Sequence, residues 1–557
     1  MNRLLSAILQ KIRRDPDGIF CHFLWRDTTR ALSWSDLGAQ ISAVAVACKD
    51  LALPFGGVVP IFLRHRPELY SSFVGAMFAG LVPTFMPCPS HKQDPQIYWN
   101  SHRKLLAHIE PSAIVLDKKT LFEMRQSGLP IDRYPLILIE EIEPAAGFLP
   151  RFPDERAVAF QQHSSGTTGL KKGVALSYRA VTDQLDAYAA VLHLERRDRI
   201  VSWLPLYHDM GLVACFLLPL FKGIPFVHLD HFDWVARPRR LFDAIAAHRG
   251  TLTWLPNFAF EHLVASVGED TRVDLGSMRA FINCSEPCRM ETFERFLNRF
   301  RGWGVAPNAM QCCYAMAETV FCVSQTRLDS PPQCLAVEPR STHPGGKLAV
   351  LAEGYGAAAR LMNVGRPIDG IEISIRDDND RPLPEGSVGE IALRGDFLFA
   401  GYFRDSSLTA ERIRNGWYYS RDLGCVIGGD LYVLGRLDDL LIVNGRNFYA
   451  HEIEALVDDL GHTKPGRCVA FTSWDERARN NNLIVVAETK DGIGVDPDEL
   501  VKHVTLSIVS TVNVQPRDVR LVAPGWLIKT TSGKISRSEN SRKYLVEREV
   551  SEGWAHA

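Results

Sequence analysis

The sequence predicts an α/β protein with a large multi-lobed N-terminal domain, of two layered α/β subdomains plus a β-rich subdomain, and a small α+β C-terminal domain. Three observations lead there. The chain has 557 residues, too many for one hydrophobic core, since single cores stop growing near ~250–300 residues. Its first half alternates apolar runs with amphipathic segments, the pattern of strands and crossover helices. Its texture then changes at about Gly365 and again after Gly435.

Each element follows in order. Residues 1–14 read as an amphipathic helix interrupted by charge, not as a signal peptide. The apolar run 57–63 predicts a strand, 68–79 a helix and 82–86 a second strand, and 113–117 and 136–139 continue the series. From Gly365 come strand-like pieces at 372–375 and 389–393, separated by the turn signal Asp377-Asp378-Asn379-Asp380. That is a β-rich subdomain. After Gly435 a new alternation begins: helix at 453–460, strands at 468–471 and 483–487, helix at 499–510. A boundary near Asp438 leaves about 120 residues for the second domain, within the usual range.

Composition excludes several classes of function. Hydrophobic residues make up 46% and charged residues 23%, as in soluble globular proteins. A net charge of −2 gives no electrostatic footprint for nucleic acid. No apolar run reaches the ~20 residues of a membrane span; the richest, 212–221, is about half that. Twelve cysteines show no disulfide framework, and a reducing cytoplasm is the expected location. Cys284, Cys288, Cys312 and Cys313 invite a zinc reading, but adjacent cysteines make poor tetrahedral ligands, and buried small apolar residues are expected instead.

The sharpest local signal is His163-Ser164-Ser165-Gly166-Thr167-Thr168-Gly169-Leu170-Lys171-Lys172-Gly173. Its inner glycines and hydroxyls make a loop whose N–H groups and side chains wrap a polyphosphate, with lysine offsetting charge. The spacing differs from GxxxxGK[ST]. Alone, the string has a second, less favoured reading as a Gly/Ser/Thr surface loop.

At this loop the sequence resembles the adenylate-forming superfamily of acyl-CoA synthetases, peptide-synthetase adenylation domains, fatty acyl-AMP ligases and beetle luciferases. The resemblance recurs in order. Trp203-Leu204-Pro205-Leu206-Tyr207-His208-Asp209-Met210-Gly211-Leu212 looks like the aromatic-His segment beside the acid pocket. Cys313-Tyr314-Ala315-Met316-Ala317-Glu318-Thr319 resembles the adenine and magnesium segment, and Tyr419-Ser420-Arg421-Asp422-Leu423-Gly424 the ribose segment. Gly435-Arg436-Leu437-Asp438-Asp439 matches the hinge, and Lys529-Thr530-Thr531-Ser532-Gly533-Lys534-Ile535 the catalytic-lysine loop.

The resemblance implies an adenylation core at 1–437 and a mobile domain at 438–557 that carries the catalytic lysine. It implies ATP and Mg²⁺. Carboxylate attack on the α-phosphorus brings two anions together, so the site must supply positive charge and orient an in-line displacement. Lys534 would stabilise the transition state, Glu318 with Thr168 would ligate Mg²⁺, and His208 would stand beside the reacting acid. Ser165, Gly166, Thr167, Thr168, Gly169 and Lys172 would hold phosphates. Tyr314 would stack on adenine, Thr319 would help bind the nucleotide, Asp422 would accept from the ribose hydroxyls, and Arg436 would contact the ribose or phosphate. Trp203, Asp209, Asn257, Asn283, Cys284, Ser285 and Ala315 would line the substrate pocket, and Asp438 would be the hinge.

Within the superfamily the wording leans toward fatty acyl-AMP ligases, which pass the acyl group to a separate acyl carrier protein. The segments 204–212, 256–260, 282–287 and 445–449 resemble that branch, and 324–363 falls where it carries an extra segment. That branch usually has Gly-Ala at Cys284-Ser285, Gly at Ala315 and Pro at Ala450. Added side chains at Cys284 and Ala315 imply a short or medium acid. His208 stands where amino-acid adenylation domains place an aspartate, which ranks α-amino acids lower. An acyl-CoA synthetase, a stand-alone amino-acid adenylation enzyme, a luciferase-type oxygenase and a catalytically silent nucleotide-binding protein stay open as alternatives. The last is raised by Arg421, which occupies a family glycine position.

Overall fold

The computed structural model describes residues 2–89, 95–145, 150–164, 172–269, 272–352, 359–443, 446–475, 480–490, 496–512, 514–529 and 535–554. It is an α/β molecule organised on two largely parallel sheets. The first has nine strands, whose parallel centre runs Ile19–Trp25, Phe226–Leu229, Ile200–Ser202, Leu252–Leu255, Ala280–Asn283 and Met310–Ala315. Antiparallel neighbours close both ends. The second is parallel, in the order Val82–Phe85, Val58–Phe62, Ile114–Leu116, Leu136–Leu138.

Parallel strands covered on both faces must be apolar throughout. Val58–Phe62, Leu252–Leu255 and Ala280–Asn283 are buried at every position. The crossover helix Glu68–Phe78 is likewise buried from Leu69 to Phe78, which is why its sequence shows no polar stripe. The amphipathic N-terminal helix Arg3–Arg14 is present, capped by Asn2 and burying Leu4, Leu5 and Ile8.

A third element carries the loop singled out above. Val158–Ser164 and Lys172–Ser177 form an antiparallel hairpin in which Ser164 faces Lys172, and Gly401–Tyr402 pairs with its second strand. Ser177 then caps the helix Tyr178–Val191 by accepting from Ala180 N. The β-rich region follows: Ile371–Arg376, Gly389–Gly395, Trp417–Ile427 and Asp430–Arg436 pair antiparallel in turn.

From Leu441 to Val519 a buried cluster forms with no member from earlier in the chain. It is enclosed by the hairpin Leu440–Val443/Arg446–Tyr449, the strands Thr463–Asp475, Asn480–Thr489 and Asp518–Val522, and the helices Ala450–Asp459 and Pro497–Val512. Tyr449 looks the other way. It joins Leu348, Val388, Leu423, Tyr432 and Leu434 in the β-rich region, and its hydroxyl donates to Thr342 O at 3.2 Å. Gly435 permits this approach, since a Cβ there would come within 2.7 Å of the Tyr449 ring and 3.1 Å of His451. Among the described residues no helix is long and apolar enough to cross a membrane, and all twelve cysteines are free thiols.

The packing strains several carboxyls, Asp458 among them. Burial raises Asp458 to a pKa of about 6, although Gly466 N donates to its Oδ2. A raised carboxyl pKa contributes stability at low pH that is lost as pH rises through the folded value. Asp458→Asn should therefore stabilise the protein above pH 6 by about 1–2 kcal/mol, with the gain shrinking toward pH 4. Thermal melts across that range check it; a gain independent of pH would refute the assignment.

Candidate active site

The nucleotide-side residues converge at the C-terminal edge of the nine-stranded sheet. Met310–Ala315 delivers Tyr314, and a register shift after it frees the chain to turn into the short helix Ala317–Thr319. Tyr314 donates its hydroxyl to Asp422 Oδ2 at 2.5 Å. Asp422 lies directly across the strand pair from Arg436, whose Nε reaches Oδ1 at 3.2 Å. Ser420 Oγ accepts from Asp422 N and donates to Ile391 O, fixing the backbone at this point.

Electrostatics follow from burial. Desolvation raises the Asp422 carboxyl, while Arg436 and Tyr314 pull it back. The Arg436 guanidinium is held charged by Asp422. Burial pushes the Tyr314 hydroxyl well above its usual range, with Asp422 adding to the effect, so it remains a donor.

A second group lies beside the first. Glu318 Oε1 accepts from the Tyr402 hydroxyl at 2.8 Å, and Phe399 N donates to Glu318 O at 2.8 Å. Lys172 Nζ stands over the Tyr402 ring at 5.5 Å. Burial and the charges of Arg412 and Arg436 lower the Lys172 ammonium against the pull of Glu318. Sequence reasoning missed Tyr402. It belongs to no motif that carried the resemblance, and only strand pairing with Lys172–Ser177 places it between Lys172 and Glu318.

The acid-side segment is organised by its own backbone. Gly211 opens the π-helix Met210–Leu217 where a Cβ would meet Pro205 O at 2.3 Å; only glycine fits. Asp209 Oδ1 lies 2.6 Å from His208 Nδ1 and accepts from Met210 N at 2.8 Å. It caps this helix and orients the imidazole.

Cys284 is fully buried at the end of Ala280–Asn283. Burial and contact with Cys313 drive its thiol well above the usual range, and Cys313 in turn touches Cys322. Such thiols are inert. Tyr188 receives a hydrogen bond from Trp254 Nε1 at 2.8 Å and packs on Phe321.

The other expected pocket residues have the following surroundings. Trp203 stacks on Trp234 with centroids 3.7 Å apart, and Phe258 meets both edge-on. Asn283 Nδ2 donates to Asn257 Oδ1, and Asn257 to Thr292, joining strand to helices. Ser285 holds φ +71 and contacts the Cys284 thiol. Thr319 bonds the carbonyls of Met316 and Phe321 through its hydroxyl, shaping the turn that presents Glu318. Ala315 pairs with Cys322. Asp438 accepts from Arg421 at 2.7 Å. Ser165, Gly166, Thr167, Thr168, Gly169 and Lys534 lie outside the described residues. Among the described residues no group of three or more His, Cys, Asp or Glu side chains forms a metal cage.

Removing the Tyr402 hydroxyl leaves Glu318 without the donor that orients it. Tyr402→Phe should lower kcat/KM for nucleotide about tenfold, the value of one hydrogen bond to a charged group. Wild-type kinetics in that variant would show the hydroxyl to be dispensable.

With this geometry established, comparison with known proteins gives a consistent picture. Residues 9–403 match the model of a family described as AMP-binding enzyme. The chain is 28% identical over 561 residues to a probable long-chain-fatty-acid–AMP ligase, FadD30 of Mycobacterium tuberculosis, covering 93% of each. It is 28% identical over 569 residues to the long-chain-fatty-acid–AMP ligase FadD32 of Mycolicibacterium smegmatis, covering 93% of this chain and 89% of that one. A structure solved in work on fatty acyl-adenylate ligases from E. coli and L. pneumophila matches with a TM-score of 0.91 at 26% identity, covering 98% of each chain.

Proposed function

Because this chain belongs to the AMP-binding enzyme family and is an adenylate-forming ligase, we propose that it activates a short- or medium-chain carboxylic acid to acyl-AMP, releasing pyrophosphate. We propose further that it passes the acyl group to the phosphopantetheine thiol of a separate carrier protein. The observation that carries the first step is the contiguity of two groups: Tyr314–Asp422–Arg436, suited to a ribose, and Glu318–Tyr402–Lys172, at the base of the phosphate-type hairpin.

In this reading Asp422 accepts from the ribose hydroxyls while Arg436 keeps it ionised. Lys172 and the loop 165–169 hold the β- and γ-phosphates. Glu318 is a hard oxygen donor of fixed orientation, which fits Mg²⁺ shared with phosphate oxygens. When bound, that ion offsets phosphate charge. His208, oriented by Asp209, faces the reacting carboxylate. Lys534 is brought in by a small domain at 438–557, hinged at Asp438, and stabilises charge that develops at the α-phosphate only in the transition state. Lys534→Ala should abolish acid-dependent ATP–pyrophosphate exchange yet leave ATP binding within about twofold. Exchange that survives the change would overturn this role.

The preference for a shorter acid rests on packing. Cys284 is fully buried where the resembling branch has glycine, its thiol meeting Cys313, and Ala315 stands at a second such position. The relatives' names specify long-chain acids, so the acyl length is the point to measure. Exchange with butyrate, octanoate and palmitate should favour the shorter pair, and Cys284→Gly should move activity toward the longer acid by about tenfold. A wild-type optimum at palmitate would sink the short-acid reading. Product mass on coenzyme A and on phosphopantetheinylated carrier proteins separates the carrier reading from that of an acyl-CoA synthetase.

A further inference from the structure

Arg421 stands where the resembling motif has glycine, and it keeps a glycine-like backbone: its φ is +65. A non-glycine residue in left-handed conformation is strained, and it persists where surrounding contacts enforce it. Here the enforcing contacts are visible. Arg421 N donates to Glu390 Oε1 at 2.8 Å, and its side chain turns away from Asp422, so that Nη2 donates to Asp438 Oδ1 at 2.7 Å.

The neighbouring pairs give this contact its meaning. Adjacent residues of the strand Trp417–Ile427 hold alternate residues of the connection with opposite polarity: Asp422 takes Arg436, and Arg421 takes Asp438. One residue further on, Asp439 pairs instead with Arg537, which also bonds Glu454. Asp438 is thus the last charged residue tied to the ribose strand before the ties run to the following domain.

We infer that Arg421 is a positioning residue that latches the hinge: its pairing with Asp438 holds the connection against the ribose strand and sets how readily the small domain changes orientation between adenylation and acyl transfer. This rests on the reading of Asp438 as the hinge. The side chains of both partners are 38–39% exposed, so the latch is weak and screened by salt. The groups around Asp438 favour it. Burial works to raise the carboxyl, but Arg421, Arg436 and Arg412 outweigh that and lower it.

The test uses the full-length chain. Amide hydrogen exchange across 437–443, without substrate, should quicken about three- to fivefold in Arg421→Gly. Added salt should quicken the wild type but not the variant. Glycine removes the backbone strain, so the melting temperature should not fall. Asp438→Asn should reproduce the change, the double variant should add nothing to it, and Arg421→Lys should restore part of the protection. In kinetics, the ratio of acyl-transfer rate to pyrophosphate-exchange rate should shift by a similar factor while KM for ATP holds. Unchanged exchange at 437–443 in both single variants would overturn the latch. So would a raised KM for ATP with an unaltered ratio, which would make Arg421 a ribose-site residue. Since hydrogen exchange needs neither acid nor acceptor, the latch can fail while the proposed chemistry stands, and the converse.

Discussion

The partly buried carboxylate of Asp422, its side chain 15% exposed, is the group to which the rest of the site is fitted. A charge out of water is tolerated only when paired and hydrogen-bonded, and Asp422 draws its partners from separate parts of the fold. Tyr314 comes from the nine-stranded sheet and Arg436 from the adjoining β-strand. Removing either would leave the Asp422 carboxylate, most of it out of water, with one partner fewer. The sheet and the β-rich region are therefore held in register by a polar contact as well as by packing.

Much of the fold was legible in the sequence because its signals are local. Apolar runs gave the buried parallel strands, periodicity gave the helices at 450–459 and 497–512, and turn residues marked the β-rich region. The nucleotide-side residues were legible because their chemistry is carried in short motifs: Tyr314, Glu318, Asp422 and Arg436 are brought together as expected. What escaped depends on pairing between distant segments. Tyr402 reaches Glu318 only through a short strand added to the hairpin edge. The pairing of Arg421 with Asp438 escaped too, because a sequence does not tell which way a side chain turns from a left-handed backbone. Trp203 and Thr319 carry motif identities, yet the structure shows an indole stacked on Trp234 and a hydroxyl bonded to turn carbonyls.

The region around Cys284 is built on a different principle from that around Asp422. At Asp422 charges are paired and oriented, whereas Cys284 is a fully buried thiol meeting Cys313 within the apolar core. Dispersion contact in such a core is close to saturated. Change of size is felt there more than change of charge.

Tyr449 has a consequence for motion. Its ring is 3% exposed among residues that precede Asp438, and its hydroxyl is bonded to Thr342 O. Any rotation that carries the later part of the chain away must withdraw this ring into water, at roughly 2–3 kcal/mol for its apolar surface. A second orientation of equal population would therefore have to bury a comparable surface of its own, so that a single aromatic ring sets the threshold for any such movement.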